Sequence, residues 1–423
     1  MERPISPIGD VTIVGGGMYV QEVLLPSLYQ LQRGGRIGDI TVCTRSANTV
    51  RAVRDNTLLA TAFPDRSFTP SPAFDVSADE QNADLYKEVI RDQDPDGTVV
   101  VCLPDHMHHE AIMAALDGGQ NVLSVKPLTQ KFQDTLDIAT AAHDRGLFVG
   151  VEYHKRFDNR SLMARKYYQE GRFGEFAVGD ASMIEPYGYR SSNFQNWFTP
   201  ENADPYTYVG CHYIDLVNFI TRLRVKELSV KGFKGKFPNG NEGYMWTNSL
   251  TTYENDATLS MINGLGYPDE GAGSNDQGIR MFFERDGGTS MLKHDDQFRG
   301  SSYSFAAPDD RGHRQFQFVS PDFFQLVPWE GQGLRPVGYG YRSVAAIVEA
   351  INDIKARAAA VSPDQQLALR QSLIRKIDSD GLIATPNNTA EHELVSEAAR
   401  LSLEHEGAIV SIHYGDNPFV KLK

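Results

Sequence analysis

Acid–base chemistry near neutral pH needs side chains whose proton affinity a fold can tune, so lysines and histidines come first. Lys126 stands in Ser124-Val125-Lys126-Pro127-Leu128, at the end of an apolar run. Desolvation and a neighbouring positive charge both draw a lysine's pKa down toward a useful range. A bare Lys-Pro pair on a surface does neither. Gly210-Cys211-His212-Tyr213-Ile214-Asp215 sets His212 and Asp215 one helical turn apart on one face. A carboxylate so placed orients an imidazole, unless it pairs with a distant arginine instead. Tyr153-His154-Lys155-Arg156-Phe157 is a basic cluster. It suits substrate hydroxyls or an acidic group, and equally an ion pair with acidic neighbours. Leu103-Pro104-Asp105-His106-Met107-His108-His109-Glu110 concentrates histidines, but no second cluster supplies matching ligands, so no metal site is expected. Asp105 reads as an N-cap and His106 as exposed.

A glycine turn says what these groups would act beside. Val14-Gly15-Gly16-Gly17-Met18-Tyr19-Val20 follows the first apolar run. Gly15 and Gly17 fill the first two places of G-x-G-x-x-G, one for the tight turn, one for close approach of a pyrophosphate. Val20 takes the third place, which mainly eases packing of helix on strand. The helix start at Met18 and Tyr19 then turns free N–H groups and a positive dipole end toward the phosphates. Standing alone such a turn is weak evidence; after the first strand of an α/β pattern it marks a dinucleotide site. The second apolar run ends Cys43-Thr44-Arg45-Ser46, and Asp39 lies at its other end. Without an acid to grip a ribose 2′-hydroxyl, Thr44, Arg45 and Ser46 suit a 2′-phosphate and favour NADP over NAD. The plain alternative is an arginine on a solvated loop. Pro104, Asp105, His108 and Lys126 follow later strands at the same edge, and His108 is expected to face the cofactor.

The elements that must position these residues alternate over the first 150 or so positions. Apolar runs at 11–16, 40–46, 96–105, 121–128 and 146–153 read as strands. Helical spacing at 19–33, 52–63, 108–120 and 131–144 separates them, which argues for a parallel sheet covered on both faces. Beyond 156 a helix at 158–171 leads into period-2 segments at 176–184, 225–233, 245–253, 257–263, 279–285 and 289–294, the pattern of an antiparallel sheet. One helix, 212–223, lies inside that block. Residues 264–278 and 300–340 are rich in Gly, Ser, Pro and Asp and read as loops. Helices return at 343–360, 363–377 and 392–405. The expected domains are 1–156 and 157–423, with the last helices packing back across the first.

Length and composition bound the rest. The chain has 423 residues, 41% hydrophobic and 23% charged, enough for two domains with real cores. Its net charge of −14 disfavours nucleic acid and anionic lipid as partners. No apolar run has membrane-spanning length, and the N-terminal residues lack the order of a signal peptide. Three scattered cysteines form neither a disulfide framework nor a metal cluster, so a cytoplasmic setting is expected.

Together these segments resemble the glucose–fructose oxidoreductase / inositol dehydrogenase family, Gfo/Idh/MocA. The resemblance rests on the glycine turn, on Pro104 to Glu110 for Pro-Asn-x-x-His-x-Glu, and on Val125-Lys126-Pro127 for Glu-Lys-Pro. It rests also on the His-x-x-Asp helix and the closing Glu397-Ala398-Ala399-Arg400 helix. It implies a Rossmann dinucleotide-binding domain followed by an α+β domain with a large open, mainly antiparallel sheet, associating as a homodimer or homotetramer. It implies hydride transfer between a nicotinamide and a sugar, polyol or glycoside carbon, with Lys126 and His212 serving the reacting hydroxyl. Two departures stand out: Val125 replaces the glutamate, and Tyr208 stands where many members have a catalytic aspartate. A phenol's ordinary pKa near ~10 calls for a different proton relay, part of which falls to Asp215.

Tyr153, His154, Lys155, Tyr187, Tyr189, Trp197, Tyr208 and His212 are the expected carbohydrate contacts, aromatic faces for stacking and polar tips for hydroxyls. Any one of those aromatics is more often core than ligand contact. Two other activities fit the pattern. One is a glycoside hydrolase that oxidises, eliminates, hydrates and reduces on a tightly held nicotinamide with no net redox change. The other is a non-catalytic sugar and nucleotide sensor.

Overall fold

The computed structural model describes residues 9–270, 273, 275–295, 301–304, 316–319 and 322–423. They pack as two compact units. One comprises the residues to Thr129 with Gln133–Phe157 and Leu326–Ala390; the other comprises Gln130–Phe132, Asp158–Gln325 and Glu391–Lys423.

In the first unit, six short strands line up in parallel: β1 (Val11–Val14), β2 (Ile40–Cys43), β3 (Thr69–Ser71), β4 (Thr98–Val101), β5 (Asn121–Val125) and β6 (Val149–Glu152). Their order is β3-β2-β1-β4-β5-β6. β1, β4, β5 and β6 are buried along their whole length, as β-branched strands covered on both faces must be. The direction of winding reverses between β1 and β4, and the carboxyl ends on either side of that switch form the crevice where open α/β sheets bind ligands. This is the doubly wound fold that the alternating pattern predicts.

The expected helix at 52–63 is two helices, Ala47–Arg54 and Thr57–Ala62. Asn56 divides them, because its side chain accepts from the Leu58 and Leu59 amides and starts a new helix there. The short edge strand β3 and the helix Leu85–Asp92 carry too weak a pattern to be read from sequence. The helix Tyr339–Ala359 packs in this unit against β6 and the turn His154–Phe157.

The second unit is built on an eight-stranded sheet. Its strands are β7 (Glu175–Pro186), β8 (Val225–Lys236), β9 (Glu242–Tyr253), β10 (Thr258–Tyr267), β11 (Asp276–Arg285) and β12 (Gly288–Asp295), with β17 (Val410–His413) and β18 (Phe419–Leu422). The order is β12-β11-β7-β10-β9-β8-β17-β18, antiparallel except for the β7–β10 pair. Alternation decides the faces: Leu259 and Met261 point to the core, while Ser260 and Ile262 point out. The inner face is covered by the helices Asn159–Gln169 and Cys211–Thr221. Every residue of Cys211–Thr221 except Asn218 is buried, so this helix forms the centre of the unit.

Residues 300–340, expected as loop, include two short strand pairs, β13 (Ser301–Ser304) with β14 (Phe316–Val319), and β15 (Gln325–Pro328) with β16 (Leu334–Val337). Their Gly, Ser and Pro content hides four-residue strands from a composition argument. Residues 305–315, 320 and 321 lie outside the described residues. Of 264–278, β10 and β11 take both ends; 271, 272 and 274 are likewise outside. No helix among the described residues is long and apolar enough to cross a membrane.

Candidate functional site

The glycine turn follows β1. Gly15 has φ +122°, and a Cβ there would lie 2.1 Å from the Cys102 carbonyl oxygen on β4's exit. Only glycine meets both demands. Gly17 is exposed, and a Cβ there would meet nothing within 4 Å, so the protein's own packing does not require a glycine. The turn is braced by the Gln21 side-chain amide, which donates to the Gly16 carbonyl at 3.0 Å and is itself held by Asn56. Val20–Leu24 is a single wide turn before the helix Leu25–Arg33. Met18 and Tyr19 are half-buried at its start.

After β2, Thr44 is buried and its hydroxyl donates to the Ser46 carbonyl at 2.8 Å, while Ser46 lies 3.3 Å from Thr49. Arg45 is exposed. Two of the three expected phosphate contacts are thus occupied within their own turn, and Arg45 is the one extended to solvent. The donor set and the open Gly17 fit an anionic nucleotide.

His108 does not face a ligand. Its ring is fully buried, with Nδ1 2.8 Å from the Pro127 carbonyl oxygen and Nε2 2.9 Å from that of Leu103. Buried carbonyls need donors, and a neutral imidazole donates its single N–H to one of these two, which flank Lys126 and Pro104. Burial lowers its proton affinity, against the opposing pull of those carbonyls. Asp105, expected as an N-cap, is buried inside the turn Asp105–Met107, whose cap position is taken by Pro104; His106 is exposed as expected. Lys126 is half-buried just past β5, and the peptide to Pro127 is cis.

Tyr19, whose backbone N–H is expected toward the phosphates, gives its side-chain hydroxyl proton to Glu152 Oε2 at 2.8 Å. Burial, then the Glu152 carboxylate, raises the phenol well above its ordinary pKa, so it stays a donor. His154 Nδ1 is 3.4 Å from both atoms of that bond, and its ring stacks on Tyr339 with centroids 5.6 Å apart. Burial first, then Glu152, pushes the nearby Cys102 thiol up to about 12; Lys126 and Asp105 act on it more weakly. Glu152, Lys126, Asp105, Cys102, Tyr19 and His154 therefore share one neighbourhood at the carboxyl edge of the sheet. Lys155 and Tyr153 in the same turn are each about 1% exposed, with Arg156 stacked over Tyr153.

Within the second unit, His212 opens the central helix and is 2% exposed. Asp215 is fully buried, and its Oδ1 lies 3.5 Å from His392 Nδ1, a partner the sequence spacing did not suggest. Tyr208 joins Phe194, Trp197 and Phe198, with ring centroids 5.3–5.8 Å apart, and Tyr189 stacks on Phe194 at 5.1 Å. Tyr189, Trp197 and Tyr208 are thus brought together. Tyr187 stands apart, 54% exposed under the Arg190 guanidinium. One turn before Tyr208, Asp204 accepts from the Thr207 amide and hydroxyl; burial holds its carboxyl above the ordinary range. Among the described residues, no group of three or more His, Cys, Asp or Glu could hold a metal ion.

Residues 10–153 match the family described as Oxidoreductase family, NAD-binding Rossmann fold (GFO_IDH_MocA). Over this segment the chain is similar to the Gfo/Idh/MocA oxidoreductases. An uncharacterized oxidoreductase of Schizosaccharomyces pombe is 29% identical over 152 residues, 36% of this chain and 38% of that one. The scyllo-inositol 2-dehydrogenase (NADP(+)) of Bacillus subtilis is 28% identical over 119 residues, 28% of this chain and 32% of that one. These alignments span 38% and 32% of the relatives' lengths. An inositol dehydrogenase homolog from Azotobacter vinelandii, solved with NADH and myo-inositol, shares the fold across 97% of this chain and 99% of its own, with TM-score 0.63 and 16% identity.

Against the Gfo/Idh/MocA pattern, the departure at Val125 has a local counterpart. Val125 and Glu152 are paired in the β5–β6 register, so a carboxylate stands on the neighbouring strand beside the position that lacks one. Sequence reasoning passed over Glu152 because a lone acid ending a strand carries no motif. It passed over Gln21, Asn56, Asp204 and His392 for the same reason.

Proposed function

We propose that this oxidoreductase transfers a hydride between a nicotinamide nucleotide and the hydroxyl-bearing carbon of a sugar, polyol or glycoside. The observation that carries the reading is Lys126, half-buried at the carboxyl edge of the nucleotide-binding sheet among Glu152, Asp105, Tyr19 and His154. Such a lysine can take the proton of a hydroxyl as its carbon loses a hydride, and return it in the reverse direction. A bound nicotinamide supplies the hydride acceptor or donor. His212, buried at the start of the second unit's central helix, is a further acid–base candidate. Gly15 and Gly17 shape the phosphate turn, and the exposed Arg45, with no acid ending β2, supports NADP over NAD. Tyr189, Trp197 and Tyr208 give apolar ring faces of the kind that stack on carbohydrate. The inositol dehydrogenases that share the fold point to the same substrate class.

The test is absorbance at the reduced-nicotinamide band, with purified protein, NADP or NAD, and a panel of sugars, polyols and glycosides. A substrate-dependent rise, larger with NADP, is expected. A flat trace with glycoside consumed would replace the dehydrogenase with a redox-neutral hydrolase. Binding of nucleotide and sugar without consumption would make the protein a sensor.

A further inference from the structure

Anion binding by a backbone turn depends on which way its peptide planes face, and something must hold them there. In the glycine turn that task falls to Gln21. Its side-chain amide donates to the Gly16 carbonyl at 3.0 Å, and its backbone N–H donates to the Gly17 carbonyl at 3.2 Å. The Gly16–Gly17 and Gly17–Met18 peptides are both trans, and in a trans peptide the N–H points opposite to the C=O. Two carbonyls drawn to Gln21 therefore turn the Gly17 and Met18 N–H groups away from it.

Gln21 is in turn oriented by Asn56. Asn56 Nδ2 donates to Gln21 Oε1 at 3.0 Å, while Asn56 Oδ1 accepts from the Leu58 and Leu59 amides at 3.0 and 3.2 Å. The chain of amides has one direction, because backbone donors stand at one end and a backbone carbonyl at the other. Turning over either side-chain amide sets oxygen against oxygen or N–H against N–H. Both side chains are half-buried, where such a mismatch is costly.

The same stretch of chain grips the turn a second time. A Cβ on Gly16 would lie 2.8 Å from the Cγ2 methyls of both Thr44 and Thr49. Gly16 is thus packed hard on the segment Thr44 to Asn56, which follows β2 and also carries Arg45.

We infer that Gln21 and Asn56 are positioning residues for the phosphate turn. Through them the segment that carries Arg45 sets the direction in which the Gly17 and Met18 N–H groups meet the diphosphate of a dinucleotide. The diphosphate as ligand rests on the proposed function; the direction of the hydrogen-bond chain does not. NADP and NAD share that diphosphate, so loss of the brace weakens both alike, unlike a loss at Arg45.

Two variants of the full chain separate this role from plain packing. Asn56→Asp keeps an oxygen to cap the helix Thr57–Ala62, but it replaces the donor to Gln21 with an acceptor and so reverses the Gln21 amide. Gln21→Met removes that amide without adding charge. Titrated with NADP and with NAD, each variant should raise Kd about 5-fold, equally for the two nucleotides. Its melting temperature should stay within about 2 °C of the parent's. In the Gln21→Met background, adding Asn56→Asp should weaken binding no further. An unchanged Kd in Gln21→Met would overturn the inference, as would an Asn56→Asp effect that persists in that background through charge repulsion. A fall in melting temperature with Kd unchanged would reduce both to packing residues. Amide hydrogen exchange over residues 15–24 reads the brace with no nucleotide present; faster exchange is expected in both variants, and unchanged exchange would contradict it. If the native protein binds neither nucleotide, the proposed function fails, while the exchange still decides the brace.

Discussion

Arg45 is the residue at which we propose that a single side chain separates the two nucleotides. Thr44 and Ser46 are turned into their own loop, leaving the exposed guanidinium as the group able to fork onto a 2′-phosphate. Arg45→Ala should therefore weaken NADP binding by about 10-fold or more and leave NAD within about twofold. Titration of each nucleotide checks this; equal losses for both would place Arg45 outside the site. The position of Arg45 just after the second strand was legible in the sequence, and the side chain is exposed there. For His108 the local spacing gave no hint that both ring nitrogens face backbone carbonyls, at Leu103 and Pro127.

At the scale of elements, the glycine turn and the junction at Asp158 make separate predictions. Gly15→Ala forces a Cβ against the Cys102 carbonyl at a positive φ, and should cost about 3 kcal/mol or more of stability. Gly17→Ala meets open space, so its melting temperature should match the parent's while nucleotide affinity falls about 10-fold. A nucleotide affinity untouched by Gly17→Ala would remove the turn from the site. Asp158, which caps the helix Asn159–Gln169, is the second case. Burial would raise its carboxyl, but hydrogen bonds from His294 at 3.1 Å and from Arg160 bring it down to about 2. A carboxyl lowered on folding stabilises the protein above its unfolded value of about 3.9, and that gain is lost as pH falls toward 2. Asp158→Asn should thus lose about 2 kcal/mol at neutral pH. The gap between variant and parent should close between about pH 4 and pH 2 in denaturant titrations; a gap independent of pH would contradict the ion-pair account.

Over the whole molecule, the outer face of the large sheet asks for a partner. Six adjacent strands each present an exposed apolar side chain: Met291, Phe282, Val178, Ile262, Leu250 and Phe233, between 37% and 65% exposed. A patch of this kind marks an interaction surface, and a second copy of the chain is the partner we propose, as homodimer or homotetramer. Leu250→Glu with Ile262→Glu should give a monomer by sedimentation velocity; a native protein that already sediments as a monomer would sink the idea. Both sheets were legible in the sequence, since period-2 and continuous apolar runs come straight from which faces are covered. The parallel β7–β10 pair and the short strands among 300–340 were not, because pairing partners and four-residue strands leave no periodicity to read. The placement of the glycine turn after β1 and of Lys126 after β5, both at the carboxyl edge of the parallel sheet, could be read because each follows a continuous apolar run.

The central claim is proton and hydride exchange at Lys126, and one comparison tests it most directly. The native protein and Lys126→Met would be followed at the reduced-nicotinamide band with the best nucleotide and substrate of the panel, and their nucleotide affinities measured alongside. The account predicts a loss of about 10²–10⁴-fold in turnover with nucleotide Kd retained. Full activity in Lys126→Met would contradict it.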